Sequence, residues 1–449
     1  MTDYDVIVLG GGPAGEHCAA RLAEGGKRVA IVERELLGGE CSYWGCIPSK
    51  TLLRPGEALQ AAREAPGARA PAGGGVDPEQ AFAWRDFMVS DYDDSGQVSW
   101  AEGEGIDVIR GQGRIAGPGR VAVGDSAYGA DQIVVSTGSD PVLPPVPGLD
   151  DLEGVWTNRE VTGLRELPER LLVMGGGPIG VEMAQGLRRM GAEVALVEGA
   201  ERLLPREPAP LGEALAEVLA AEGIELCFGQ FASGARRDGD RFVLGFPERD
   251  ELDGDRLLVA TGRRPRIEGL GLESVGIEPG PRGIEVDERM RAGDGVWAIG
   301  DVTGVWPLTY VGKYQGRVAA ANILGGEREA NYEAVPRVVF TDPQAAAVGE
   351  ADGPLTATVQ LADVPRTATF TRAYAEKPGF MTLVSDGERL TGGYALGPEA
   401  GEWLQQATVA IRAGIPLEVM SDVIQPFPAF SEAFLHALSD LGAKVPAAA

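Results

Sequence analysis

Histidine and cysteine are scarce in this chain: His17 and His436 are the only histidines, and four cysteines stand in 449 residues. So few cysteines do not make a disulfide scaffold, and a reducing compartment keeps unused thiols reduced. Basic residues are outnumbered, 40 Lys and Arg against 67 Asp and Glu, and the net charge of −27 leaves no basic surface for a nucleic acid. No apolar run reaches membrane-spanning length. The first strand, Tyr4-Asp5-Val6-Ile7-Val8-Leu9, begins within a few residues of the start and leaves no room for a secretory signal. These absences predict a soluble, cytoplasmic protein with neither nucleic acid nor membrane as partner. The length exceeds what one core serves and predicts three or four structural units.

What is present begins with Cys41 and Cys46, in Gly38-Gly39-Glu40-Cys41-Ser42-Tyr43-Trp44-Gly45-Cys46-Ile47-Pro48-Ser49-Lys50. In a straight helix, positions five apart differ by about 7.5 Å in rise and point to different sides, too far for a normal disulfide. A bridge therefore needs a distorted turn. Gly38, Gly39 and Gly45 offer the backbone freedom, and Pro48 suits the opening of a helix. Near that helix N-terminus, with Lys50 one turn on, a Cys46 thiolate is favoured, which makes it a candidate electron carrier. A structural disulfide or a metal pair are the competing readings; the spacing lacks a second ligand pair for a metal.

The dithiol follows directly on a dinucleotide-binding pattern. Tyr4 to Glu33 reads as strand, glycine turn, helix and strand, with Gly10-x-Gly12-x-x-Gly15 opening the helix and Glu33 ending the second strand. The glycines allow a tight turn and the approach of a pyrophosphate to the helix N-terminus, and the terminal acid suits ribose hydroxyls. The pattern recurs from Leu171 to Glu198, with Gly175-x-Gly177-x-x-Gly180 and an acid at the same offset. Two such units imply two dinucleotides. Glu198 favours NADH over NADPH because a carboxylate repels a 2′-phosphate, while nearby Arg202 weakens that preference.

Each nucleotide unit closes on a strand followed by Thr-Gly, at Thr137-Gly138 and Thr261-Gly262. The run Ala65 to Gly75 reads as a surface connection, and the proline-rich Pro141 to Gly148 marks the first domain boundary. The segment Val296 to Asp301 reads as a buried strand with an acid at its carboxyl end, where open α/β sheets bind ligands. From about Val335 the pattern changes to short strands, including Phe380 to Val384 and Leu390 to Leu396, then helices around Glu399 to Arg412 and Ser431 to Leu441. That is an α+β unit without a nucleotide motif.

The dithiol after the first glycine motif, the second glycine motif and the Gly300-Asp301 strand end together resemble the flavoprotein (pyridine nucleotide) disulfide reductases, the group containing dihydrolipoamide dehydrogenase and glutathione reductase. The resemblance covers essentially the whole chain. It implies an α/β fold of two Rossmann-like dinucleotide-binding domains plus a C-terminal α+β dimerisation domain. The expected divisions are an FAD-binding domain over 1–147, an NAD(P)-binding domain over 148–266, a part completing the FAD domain over 267–332, and an interface domain over 333–449. Phe340-Thr341-Asp342-Pro343 supports a homodimer. On this resemblance Cys46 is the thiol beside the flavin and Cys41 the outer, interchange thiol, with Lys50 and Glu182 the ion pair near the flavin. Gly10, Gly12, Gly15, Glu33, Gly113, Gly138 and Asp301 fall at FAD-side positions, and Gly175, Gly177, Gly180, Glu198 and Gly262 at NAD(P)-side positions. The implied reaction passes electrons from NAD(H), or NADP(H), through FAD to the Cys41-Cys46 dithiol, and on to a disulfide such as lipoamide.

Relatives end with a histidine-proline step and a glutamate that move the interchange thiol's proton. Here the stretch reads Gln425-Pro426-Phe427-Pro428-Ala429-Phe430-Ser431-Glu432: the glutamate is kept and Phe427 replaces the histidine. His17 lies in the first nucleotide-binding helix, in a partly packed structural role, and His436 is placed to share a helix face with Glu432. A missing base typically slows proton transfer by about 10²- to 10⁴-fold. The same combination resembles mercuric reductases, but those add a C-terminal cysteine pair. Cys18 and Cys227 read instead as small core residues. Glu40 and Tyr43 replace the family's threonine and asparagine. With Trp44, Phe427, Phe430, Trp306 and Tyr310, Tyr43 either lines an aromatic acceptor pocket or fills vacated space. The alternative function is therefore an NAD(P)H reductase of quinones, metal ions or dyes without efficient thiol exchange.

Overall fold

Val6 to Leu9 are apolar without alternation, as befits a central parallel strand covered on both faces. In the computed structural model, which describes residues 3–370, 374 and 378–444, that segment is strand β1 (Asp3–Leu9). It pairs in parallel with β2 (Val29–Glu33) on one side and Ser126–Val135 on the other. Ile106–Arg110 extends the parallel sheet beyond β2, and Val296–Ala298 extends it beyond Ser126–Val135. This sheet belongs to a compact unit made of residues 1–48, 83–142 and 262–331. Helix α1 (Pro13–Glu24) crosses between β1 and β2 and packs against the helix Thr309–Ile323. The helices approach closely because Gly316 is there: a Cβ on it would lie 2.8 Å from the Ala14 carbonyl oxygen. The chain then forms a single short turn, α2 (Gly39–Tyr43), and enters α3 (Cys46–Glu64).

Residues 49–82, 143–261 and 332–449 form the second unit. It contains the second nucleotide motif on a four-stranded parallel sheet ordered Glu225–Cys227, Glu193–Val197, Arg170–Met174, Arg256–Val259. The helix Pro178–Met190 follows the glycine turn, with Val181, Met183, Ala184 and Leu187 in the same core as Leu171, Val173 and Leu196. Its C-terminal part is a five-stranded antiparallel sheet, in which the two expected strands, Phe380–Ser385 and Leu390–Gly397, are neighbours. The helices Gln405–Ala413 and Ala433–Lys444 contribute Ala407, Ala410, Ile411, Phe434 and Leu438 to its core. The whole is the mixed α/β architecture predicted. Among the described residues no helix is long and apolar enough to cross a membrane, and no cluster of His, Cys, Asp or Glu is arranged to hold a metal ion.

Candidate active site

The distorted turn between the cysteines is two helices with a break. Cys41 lies in α2; Trp44 leaves helical geometry at φ −135°, and Cys46 is the first residue of α3. Gly38 and Gly39 have φ of +110° and +61°, the left-handed freedom expected of them. Gly45 has a different purpose. A Cβ on it would lie 3.0 Å from the Glu40 carbonyl oxygen and 3.3 Å from the Cys41 Cα, so its missing side chain lets the two turns close up.

Both cysteines are free thiols and both meet Thr309: its Oγ1 is 3.3 Å from Cys41 Sγ and 3.3 Å from Cys46 Sγ. The Cys46 thiol beside it, and then burial, push the Cys41 thiol well above the usual range, while the Thr309 hydroxyl and the Cys46 N–H pull it back. Nothing in the sequence motif announces Thr309, which enters from a helix more than 260 residues away.

The two glycine turns repeat one geometry. Gly10 and Gly175 have φ of +102° and +110°, where a Cβ would lie 2.4 Å from Ser136 O and 2.5 Å from Ala260 O, on the neighbouring strand's exit. Gly15 and Gly180 seat each helix on its turn, a Cβ there falling 2.1 Å from Gly10 O and 1.9 Å from Gly175 O. Gly12 and Gly177 face open space and cap their helices without any side-chain hydrogen bond. An uncapped helix N-terminus bordered by open space fits the pyrophosphate of a dinucleotide.

The terminal acids also repeat. Glu33 accepts from Gly11 N at 2.8 Å and Glu35 N at 2.7 Å; Glu198 accepts from Gly176 N at 2.6 Å and Ala200 N at 2.8 Å. Each carboxylate is thereby fixed at the strand end, with lone pairs left for ribose hydroxyls. Both units fit the FAD and nicotinamide dinucleotide that the motifs imply. Gly113 packs on Leu9 and Val32, while Gly138 and Gly262 are turn glycines at φ +76° and +143° facing open space.

Asp301 follows the strand Val296–Ala298 and accepts from Ser139 Oγ at 2.6 Å; Ser139 Oγ in turn accepts from Arg263 Nε at 2.8 Å. Arg263 and Arg266 lie 3.7 and 3.8 Å from Glu40, and Arg266 also pairs with Asp140. Glu40, the departure beside Cys41, is thus counterbalanced by two arginines that the sequence reading missed. Their signal was the arginine-rich stretch directly after Thr261-Gly262.

In the second unit Lys50 Nζ donates to Glu182 Oε2 at 2.7 Å, and Glu182 Oε1 accepts from Phe340 N at 2.9 Å. The Lys50 ammonium also sits 4.6 Å above the Phe340 ring. Phe427 is 73 % exposed, Glu432 is buried, and His436 faces solvent. Burial therefore separates Glu432 from His436, against the expectation of a shared helix face. His17 is exposed on α1 rather than partly packed. Tyr43 is buried and packs with Trp44 and Tyr92, at ring distances of 5.7 and 6.4 Å, and Phe430 belongs to the C-terminal core. Tyr43 and Phe430 fill space. Cys18 and Cys227 are buried, as expected.

Two dinucleotide cradles, a thiol pair in one of the units that carry them, and a Lys-Glu pair define an oxidoreductase that moves electrons between a nicotinamide, a flavin and sulfur. The chain belongs to the pyridine nucleotide-disulphide oxidoreductase family, which matches residues 4–316, with that family's dimerisation domain matching 335–438. It is 35% identical to a dihydrolipoyl dehydrogenase of Thermus scotoductus, over 98% of each chain. It is also 34% identical to a mercuric reductase of Acidithiobacillus ferrooxidans, over 95% of this chain and 80% of that one. Among solved structures, the Cu(II) complex of the HOCl-induced flavoprotein disulfide reductase RclA from Escherichia coli superimposes with a TM-score of 0.86. The two are 27% identical over 98% of this chain and 99% of that one. The protein is an FAD-dependent NAD(P)H oxidoreductase of the disulfide reductase class.

Proposed function

We propose that this enzyme is a cytoplasmic homodimer that delivers electrons from NADH to the Cys41-Cys46 dithiol, and from Cys41 to a small disulfide such as lipoamide. The observation that carries this reading is the pair of free thiols facing one hydroxyl, with Cys46 at the start of a helix where a thiolate is favoured. Gly10, Gly12, Gly15, Glu33, Gly113, Gly138 and Asp301 hold FAD in this reading, and Lys50 and Glu182 keep the ion-pair role that the family resemblance gives them. Gly175, Gly177, Gly180, Glu198 and Gly262 hold the nicotinamide dinucleotide. Bound there, FAD supplies the ring that links the nicotinamide's hydride to the thiol pair. NADH is favoured because Arg202, in the loop just after Glu198, spends its guanidinium on the carbonyls of Leu203, Leu204 and Pro205 at 2.9 to 3.4 Å.

Phe427 favours a second reading, in which electrons leave to a quinone, dye or metal ion without exchange at Cys41. No imidazole stands at that position to take the thiol proton. Parallel turnover with lipoamide and a quinone separates the two in wild type, Cys41→Ser and Phe427→His. On the first reading Cys41→Ser abolishes lipoamide turnover and Phe427→His raises it by about tenfold or more. Negligible lipoamide turnover in all three, with quinone reduction surviving in Cys41→Ser, selects the second.

A further inference from the structure

Thr309 stands between the two reactive sulfurs, as the first residue of the helix Thr309–Ile323. A hydroxyl has one proton to give and lone pairs to accept with, so it donates to one sulfur while accepting the S–H of the other. In the structure it donates to Cys41. Rotation of the hydroxyl reverses both bonds. The helix N-terminus, capped by no side chain, adds partial positive charge beside whichever sulfur is ionised. Exchange requires Cys41 as a thiolate. Its neighbour and its burial oppose that, and Phe427 stands where a base is expected.

We propose that the Thr309 hydroxyl is a catalytic proton relay, carrying one proton between Cys41 and Cys46 and so selecting which sulfur is the thiolate. In the reduced pair one sulfur is a thiol and the other a thiolate. Starting from thiol Cys41 and thiolate Cys46, the Cys41 proton passes to Thr309 Oγ1 as the hydroxyl's own proton passes to Cys46. One S–H bond breaks and one forms, the hydroxyl is restored, and no charge leaves the site. The Cys41 thiolate then bonds one sulfur of the acceptor disulfide. The acceptor's S–S bond breaks, its electron pair leaves on the departing sulfur, and that sulfur takes a proton from water. The attack rests on the reading of Cys41 as the exchanging thiol; the relay concerns only the reduced dithiol and is measurable without an acceptor.

The test is alkylation of the NADH-reduced holoenzyme by iodoacetamide between about pH 6 and about pH 10, with Cys41 modification read by mass spectrometry. Wild type, Thr309→Val and Thr309→Ser are compared, since valine keeps the shape and serine keeps the hydroxyl. Loss of a hydrogen bond to a charged sulfur raises the pH midpoint of Cys41 alkylation by about one to two units in Thr309→Val. In Thr309→Ser the midpoint stays close to wild type, and lipoamide turnover falls about tenfold or more in the valine variant alone. An unchanged midpoint in Thr309→Val, or one equally raised in Thr309→Ser, overturns the relay. A midpoint shift as expected in an enzyme without lipoamide turnover supports the relay and overturns exchange at Cys41 instead.

Discussion

Glu16 sits in the first turn of α1, where a carboxylate is ordinarily welcome beside the helix N-terminus. Burial outweighs that benefit. With its Oε1 enclosed and without a hydrogen-bond partner among the described residues, Glu16 is pushed up to about 7; burial is the main cause, Glu33 adds to it, and Lys313 opposes it. The folded protein therefore holds a proton on Glu16, between the ordinary carboxylate range and about pH 7, that the unfolded chain has lost. Stability falls as pH rises through that window, and the full penalty, on the order of 3 kcal/mol, is present above it. Glu16→Gln removes the charge and keeps the shape. Thermal unfolding of the flavoprotein should show the variant gaining on wild type at about pH 8 and little at about pH 5. An equal gap at both pH values refutes the protonation. The sequence offered no hint of this, because a glutamate in a first helical turn reads as a surface residue until the packing around it is known.

The glycine turns were legible because each glycine answers a demand of the local backbone. Positive φ at Gly10 and Gly175, and contact between helix and turn at Gly15 and Gly180, follow from spacing alone. The thiol pair and its broken helix were legible for the same reason. Gly45 was misread, since its need is for space rather than for a left-handed φ. Thr309 was not legible, and the arginine-rich stretch holding Arg263 and Arg266 was legible only as a stretch, its pairing with Glu40 hidden because the two segments lie far apart in the chain. Arg202 shows the same limit at short range: backbone carbonyls take its guanidinium, and no side-chain pattern records a carbonyl. With Arg202 so engaged, the ribose end of the second cradle is left to Glu198 in the proposed reading. NADH should exceed NADPH in kcat/KM by about tenfold, equivalent to about 1.4 kcal/mol, and Glu198→Ala should narrow that ratio. Steady-state kinetics with both dinucleotides measures it. An NADPH preference in wild type contradicts the assignment.

For the molecule as a whole, a net charge of −27 sits uneasily with the apolar side chains exposed along one stretch of the C-terminal domain. Val409, Val419, Val423, Ile424 and Phe427 are 60, 52, 43, 94 and 73 % exposed. They fall within the dimerisation domain, and the homodimer proposed above would place a second copy over them. Burying one large aliphatic side chain contributes about 1.5 to 3 kcal/mol, and two acidic copies repel, so a dimer joined through this stretch needs several such side chains buried together. Two consequences follow for sedimentation measurements. Added salt screens the repulsion and tightens the dimer. Ile424→Glu places a charge at the most exposed of these positions, where burial costs several kcal/mol unless it is paired, and should shift the holoenzyme to monomer at micromolar concentration. A variant that stays dimeric, or a dimer that salt loosens, means that this stretch is not what joins the copies.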